Sequence, residues 1–268
     1  MITVDGLSIE AIRRQLDTAT VGWHLYLFRD VGSTNAVLHQ LARAGAGEGT
    51  VVLAEGQTDA RGRLGRTWFS PSGVNLYASA LFRDRIEPTQ AMVFSFIGGL
   101  AVADAIKALG LHPAIKWPND VLVETKKVAG ALTECVMRGD AVDFLIVGVG
   151  VNLNVDPIAL AGALGTGAPA ATSLTAVLGK EIDRNEFAVS YLNHLESWAL
   201  RYRTEGPPPI IAAWRERDIL SGRRVEARSA HERFDGRVLG IDDAGRLLVQ
   251  LSGDGPRVIV NEEIRVLD

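Results

Sequence analysis

Residues 50–82 read TVVLAEGQTDARGRLGRTWFSPSGVNLYASALF, and the fold turns on the contrast inside that stretch. TVVLAE at 50–55 and NLYASALF at 75–82 are apolar enough to be buried strands. Residues 56–73, between them, are rich in glycine and arginine and cannot pack as core. Upstream, LYLF at 25–28 reads as a strand leading into VGST, where Ser33 or Thr34 caps a helix beginning near Asn35 with Val37, Leu38 and Leu41 as its buried stripe. Residues 9–16 form a short amphipathic helix. Downstream, an apolar helix from about Gln90 to Leu109 is interrupted only by Gly98 and Gly99, which permit close helix packing.

Beyond that helix, three strand segments follow as a meander: AIKW at 114–117 with DVLVE after it, KVAGALTECVM at 127–137, and AVDFLIVGVGVNLN at 141–154. The stretch from Pro157 to Ala171 is small and loop-like. A helix from Asn185 to about Arg203 sets Tyr191, Leu195, Trp198 and Tyr202 at helical spacing, as core. GPPPI at 206–210 is a stiff breaker before a last helix around 211–217. From Gly222 onward RRVEAR, FDGRVLGI, RLLVQL and PRVIV alternate as short strands, divided by turns such as IDDAG and SGDG, and form a small all-β unit.

With 47% hydrophobic and 22% charged residues, the 268-residue chain has the composition of a globular protein. A net charge of -4, with both signs mixed along the chain, argues against nucleic acid as a partner. The single cysteine, Cys135, allows no internal disulfide and fits a reducing compartment. Charges near the N-terminus stand where a signal peptide needs an apolar run, and no stretch reaches the length of a membrane span, so a cytoplasmic protein without membrane contact is expected. The five histidines, His24, His39, His112, His194 and His231, show no metal-ligand spacing.

QTDARGRLGRTW at 57–68 sets Arg61, Arg63 and Arg66 among Gly62 and Gly65, with no carboxylate after Asp59 to neutralise them. Guanidinium groups offer paired planar donors to a carboxylate or phosphate, and glycines let the main chain approach an anion. A solvated basic turn is an equal reading of this segment alone. KWPND at 116–120 places a lysine, an aromatic and a rigid bend at a strand end, where Pro118 turns Asn119 and Asp120 outward. KVAG adds Lys127, with Gly130 leaving room beside it for a ligand. GVGVNLN at 148–154 opens no helix and is therefore no dinucleotide fingerprint.

Together STN at 33–35, AEGQTDARGRLGR at 54–66, WFSPSGVNLY at 68–77, KWPND, KKVAG, GVGVNLN and ATSL at 171–174 resemble the biotin protein ligases in order and spacing, from about residue 25 to the end. One departure is Ala60, where the family has glycine; a requirement for positive φ there would alter the loop. The resemblance implies an α+β fold: a catalytic domain, residues 1–220, with a mixed β-sheet flanked by helices, and a small C-terminal SH3-like barrel, residues 221–268. Carried over by position, Ser33, Thr34, Asn35, Gln57, Arg61, Gly62, Arg63 and Lys127 contact biotin, with Gly130, Leu132 and Gly148 shaping the pocket. Trp68, Asn119 and Asn152 attend to adenine and phosphates, and Lys116 and Arg63 join the ATP site.

The implied reaction joins biotin to AMP using ATP and Mg²⁺, then passes biotin to a lysine of a biotin carboxyl carrier protein domain. Lys127 is the principal catalytic cation, Arg63 assists, and Asp120 is a candidate to orient or deprotonate the incoming lysine. A monomer or homodimer is compatible with the sequence. The alternatives are a lipoate-protein ligase of the same fold and, in another class, a biotin-responsive DNA-binding repressor. Too few residues precede Ser33 for an independent winged helix, which disfavours the latter.

Overall fold

A computed structural model describes residues 6–165, 170–229, 232–251, 255–260 and 262–268. His231 and most of the SGDG turn lie outside the described residues. The helix α1 (Ile9–Gln15) precedes β1 (Leu25–Val31), α2 (Thr34–Arg43), β2 (Val51–Gln57), β3 (Leu76–Phe82) and α3 (Ala91–Ala108). The meander then runs β4 (Ala114–Lys116), β5 (Asp120–Val123), β6 (Lys126–Arg138) and β7 (Ala141–Val151). Four helices follow: α4 (Pro157–Leu164), α5 (Leu174–Leu178), α6 (Arg184–Glu205) and α7 (Pro208–Arg217).

The seven strands form one sheet in the order β1-β2-β3-β7-β6-β5-β4. It is mixed because the α2 crossover makes β1 and β2 parallel, whereas every other neighbour is antiparallel. Strand β3 is buried along its whole length, as a central strand must be. Its residues alternate between two cores. Leu76, Ala78, Ala80 and Phe82 join α3 and α6 on one face, while Leu81 joins Leu38 and Ala42 of α2 on the other. Gly98 and Gly99 let α3 sit close: a Cβ would meet Val147 at 2.8 Å from Gly98 and Trp214 at 3.3 Å from Gly99.

Several sequence expectations are corrected here. The α3 segment, Pro88–Ala108, does reach membrane-span length and apolarity, but most of it is buried in this core. Pro157–Leu164 is helical, because Asp156 accepts hydrogen bonds from the Ile158 and Ala159 amides and Pro157 opens the first turn. Likewise Pro208 lies inside the first turn of α7 instead of breaking the chain before it, since its missing N–H is an orphan position anyway. Ser33 occupies the N-cap of α2, yet its side chain makes no cap bond.

After α7 the chain forms β8 (Arg224–Arg228), β9 (Arg233–Ile241), β10 (Leu247–Leu251), β11 (Pro256–Ile259) and β12 (Glu263–Val266), the last not foreseen. They form an antiparallel sheet in the order β11-β10-β9-β8-β12, the strand arrangement of an SH3-like unit. Its apolar residues, among them Val225, Val238, Leu247 and Ile264, are continuous with the main core. The contact is specific. Arg215 Nη2 of α7 donates to the Ile241 carbonyl of β9 at 2.8 Å, beside the stack of Trp214 of α7 on Phe96 of α3 within the main core, ring centroids 3.9 Å apart.

Candidate active site

The floor of the site is one face of β7. Alternate residues Phe144 and Ile146 pack under α2, and the same row then continues as Gly148, Gly150 and, just past the strand, Asn152. The absent side chains make space that other groups fill. A Cβ on Gly148 would lie 2.1 Å from Asn35 Oδ1, and one on Gly150 would lie 2.4 Å from Trp68 Nε1. Across the ladder Gly148 faces Leu132 and Gly150 faces Gly130. Gly130 was expected to leave room for a ligand; the space over it borders Trp68 and the Lys127 side chain, at 3.4 and 3.5 Å.

One wall is neutral and polar. Ser33, Thr34 and Asn35 stand at the N-terminus of α2, whose partial positive charge faces this end. Gln57 Oε1 accepts from the Thr34 amide at 2.9 Å and from its hydroxyl at 3.2 Å, and Gln57 Nε2 donates to Ser70 Oγ at 3.3 Å. Ser79 Oγ lies 2.8 Å from Thr34 Oγ1 and 2.6 Å from Asn35 Oδ1. These bonds hold Thr34, Asn35 and Gln57 in fixed orientations.

The opposite wall is cationic. The arginine loop closes on itself: the Gly62 amide donates to the Arg66 carbonyl at 2.6 Å, and Arg63–Gly65 form a 3-10 turn with Leu64 (φ 57) and Gly65 (φ 73) left-handed. Ala60 is buried and is not among the residues with positive φ, so alanine in place of the family glycine imposes no strain. The loop is less free of carboxylates than its sequence implied. Arg61 Nη2 is 3.1 Å from Asp59 Oδ2, and Arg66 is paired with Glu263 of β12, from the distant C-terminal unit. The Arg63 guanidinium lies over the Trp117 ring, 5.6 Å from its centroid, and burial pushes its pKa down.

Lys127 Nζ is 2.6 Å from Asp120 Oδ1 and 5.0 Å from the Trp68 ring centroid. Lys116 pairs in register with Asp120, and burial lowers its pKa, with Asp120 opposing and Lys127 reinforcing that shift. The KWPND segment is a turn with a cis Trp117–Pro118 bond. Asn119 and Asp120 do not turn outward: Asn119 Nδ2 donates to the Ala131 carbonyl at 2.7 Å, and Asp120 begins β5. Pro118 sits in a hairpin bend, so the partner strand captures both neighbours. Asn152 Nδ2 donates to the Thr172 carbonyl at 3.2 Å, placing ATSL beside the strand end. Asn152 Oδ1 and Trp68 Nε1 are buried without a protein partner, which makes them ready acceptor and donor groups for a ligand.

Every site residue singled out from the sequence lines one cavity of about 570 Å³. The sequence reading missed Gly150, Leu160 and Leu164 of α4, and Glu262, Glu263 and Ile264. The period-two row through Gly148 would have found Gly150, and the Asp156-Pro157 cap would have found α4. No local signal marks Glu262 or Glu263. Among the described residues no group of three or more histidine, cysteine, aspartate or glutamate side chains is placed to hold a metal ion.

Residues 27–152 match the Biotin/lipoate A/B protein ligase family, and residues 220–265 match the Biotin protein ligase C terminal domain. The chain is 35% identical over 261 residues to the bifunctional ligase/repressor BirA of Bacillus subtilis, spanning 97% of this chain and 79% of that one. It is 36% identical over 257 residues to the biotin–[acetyl-CoA-carboxylase] ligase of Mycobacterium tuberculosis, spanning 92% and 91%. The structure of biotin protein ligase from Aquifex aeolicus in complex with biotin and ATP superposes with a TM-score of 0.75 at 26% identity, covering 91% of this chain and 100% of that one.

Proposed function

Because the chain belongs to the biotin/lipoate A/B protein ligase family, we propose from that premise how its cavity divides the work of a biotin protein ligase. The match of its C-terminal unit to that of biotin protein ligases favours biotin over lipoate as the acid. A carboxylate is a poor acylating agent, so a biotin carboxylate oxygen first attacks the α-phosphorus of ATP, and pyrophosphate leaves as biotinyl-AMP forms. A carrier lysine amine then attacks the acyl carbon, and AMP leaves. The acceptor is a lysine of a biotin carboxyl carrier domain, and the reaction takes place in the cytoplasm.

Ser33, Thr34, Asn35 and Gln57 supply neutral donors and acceptors for the polar ring of biotin, over a floor of Gly130, Leu132 and Gly148. Asn119, Asn152 and Trp68 hold adenine. Two anions must meet in the first step, and Lys127, Arg61 and Arg63, with Lys116 behind them, offset their repulsion and the charge developing at phosphorus. Asp120 is paired with Lys127 and Glu263 with Arg66, and among the described residues no group of three or more histidine, cysteine, aspartate or glutamate side chains is placed to hold a metal ion. That suits Mg²⁺ carried in on the triphosphate, where it supplies further charge neutralisation. Asp120 holds Lys127 until the nucleotide competes for that ammonium, and then stands beside the path of the incoming lysine.

The observation that carries this reading is that Lys127, the arginine turn and the Asn35 wall border a single cavity. Lys127→Ala should lower biotin-dependent exchange of pyrophosphate into ATP by about 100-fold or more. Exchange near that of the unmodified protein would remove Lys127 from catalysis, and exchange supported by lipoate but not biotin would reassign the substrate.

A further inference from the structure

Trp117 has no part in the chemistry described above, yet it joins the two units of the molecule. Its side chain is 1% exposed, in the bend between β4 and β5. Its Nε1 donates at 2.9 Å to the carbonyl of Gly245, on the IDDAG turn between β9 and β10. The turn that presents this carbonyl is held on both sides. Asp242 Oδ1 accepts from the Ala244 and Arg246 amides at 3.0 and 2.8 Å, and Asp242 Oδ2 accepts from Arg246 Nε at 2.7 Å. Gly245 itself is left-handed (φ +79), and a Cβ there would meet Phe96 at 2.8 Å, so no other residue lets the turn approach this closely.

Arg63 contacts the same indole: its guanidinium lies over the ring. Within itself the arginine loop is braced by short-range bonds, Gly62 to Arg66, Arg66 to Arg63 and Trp68 to Ala60, and Arg66 also pairs with Glu263 of β12. A left-handed tip carrying glycine has little stiffness of its own, so its placement depends on what the tip rests on. Resting on this ring are electrostatic attraction and dispersion, both sensitive to ring orientation. The Gly245 carbonyl sets that orientation.

We propose that Trp117 is a positioning residue: registered by the Gly245 carbonyl, its indole presents the surface on which Arg63 settles over the adenylate, so the C-terminal unit governs how long biotinyl-AMP is retained. The inference rests on the ligase reading. A buried tryptophan with a satisfied N–H is also an ordinary core feature, and the two roles separate by experiment. A purely structural role lowers stability and all activities together; a positioning role lets the intermediate escape while its formation persists.

The test uses the full chain carrying Trp117→Phe, which keeps a ring and loses the N–H, and Asp242→Ala, which loosens the turn on the protein surface. Each is combined with Arg63→Gly. Biotin-dependent pyrophosphate exchange, release of biotinyl-AMP and labelling of a bystander protein such as albumin are measured beside a thermal melt. In Trp117→Phe the release should rise about 5-fold, the size of one lost hydrogen bond, with a smaller change in exchange. Asp242→Ala should show a smaller rise with exchange unchanged. Neither substitution should add to the release already produced by Arg63→Gly, because all three act through one contact. Release equal to that of the unmodified protein in both variants, or effects that add to Arg63→Gly, overturns the proposal. If Trp117→Phe fails to fold, Asp242→Ala decides alone. Absence of biotin-dependent exchange in the unmodified protein would instead sink the ligase reading.

Discussion

The two faces of β7 are made by one hydrophobic stretch and do opposite things. Leu145, Val147, Val149 and Val151 point into the large core and pack against α3. Phe144 and Ile146 begin the other face in the same style, but the row then loses its side chains at Gly148 and Gly150 and ends in Asn152, whose Oδ1 is unpaired. A strand of uniform apolar character becomes half scaffold and half site because successive side chains alternate in direction. Where alternate positions shrink to glycine, the volume is handed to Asn35 and Trp68 from other elements.

The sharpest way to break this contrast is to give the site face a side chain. Gly148→Val should lower biotin-dependent exchange by about 100-fold while the protein still melts cooperatively, since the branched group displaces Asn35 and overpacks the floor. Exchange within a few-fold of the parent would show that the bare strand is not the floor of the site. On the opposite face, Val147→Ala should do the reverse. It should remove about 2 kcal/mol of stability, measured by urea unfolding, and leave the activity of the folded fraction intact. Equal losses of activity and stability in both variants would dissolve the distinction between the faces.

Lys116 sharpens the comparison electrostatically, because it is a charge held in partial burial for the benefit of a ligand. Burial lowers its pKa, so the folded state disfavours the ammonium, and the penalty is fully present at pH below the folded value. The unfolded chain binds more protons in the interval between the two values, so this penalty fades as pH rises through the folded pKa toward the ordinary lysine range. Lys116→Met should therefore raise the thermal midpoint at neutral pH and weaken ATP binding, with the stability gain shrinking in alkali. A lower midpoint at neutral pH contradicts that account. The smallest effect belongs to Ala60→Gly. It should lower stability by less than about 1 kcal/mol through the unfolded chain and leave adenylate release unchanged, because Ala60 has no positive φ to relieve. A marked change in release would mean that the loop needs the methyl group.

Much of the site was legible because its parts announce themselves locally. Arginines among glycines cannot be core, a lysine beside a strand-end glycine is conspicuous, and the order of the motifs carries the family resemblance. What escaped has particular reasons. Asp156-Pro157 is a helix start, but the small residues that follow hid α4 as loop. Asn119 was expected to face outward, yet the carbonyl of Ala131 on the partner strand, twelve residues on, captures its amide, a pairing that depends on register. The Arg66–Glu263 pair joins residues from opposite ends of the chain, and nothing near either one foretells the other.

Periodicity and composition by themselves determined most of the strands and helices, though not α4 or β12, that the Gly/Arg segment lies outside the core, and which chemistry its side chains can perform. These properties follow from backbone sterics and burial, which act over a few residues. Only the tertiary structure decided that Lys127 spends its charge on Asp120, that Trp68 fills the space above two glycines, and that a turn of the C-terminal unit reaches Trp117. Those arrangements arise from packing between segments distant in the chain, where shape and register select among many partners of equal local suitability.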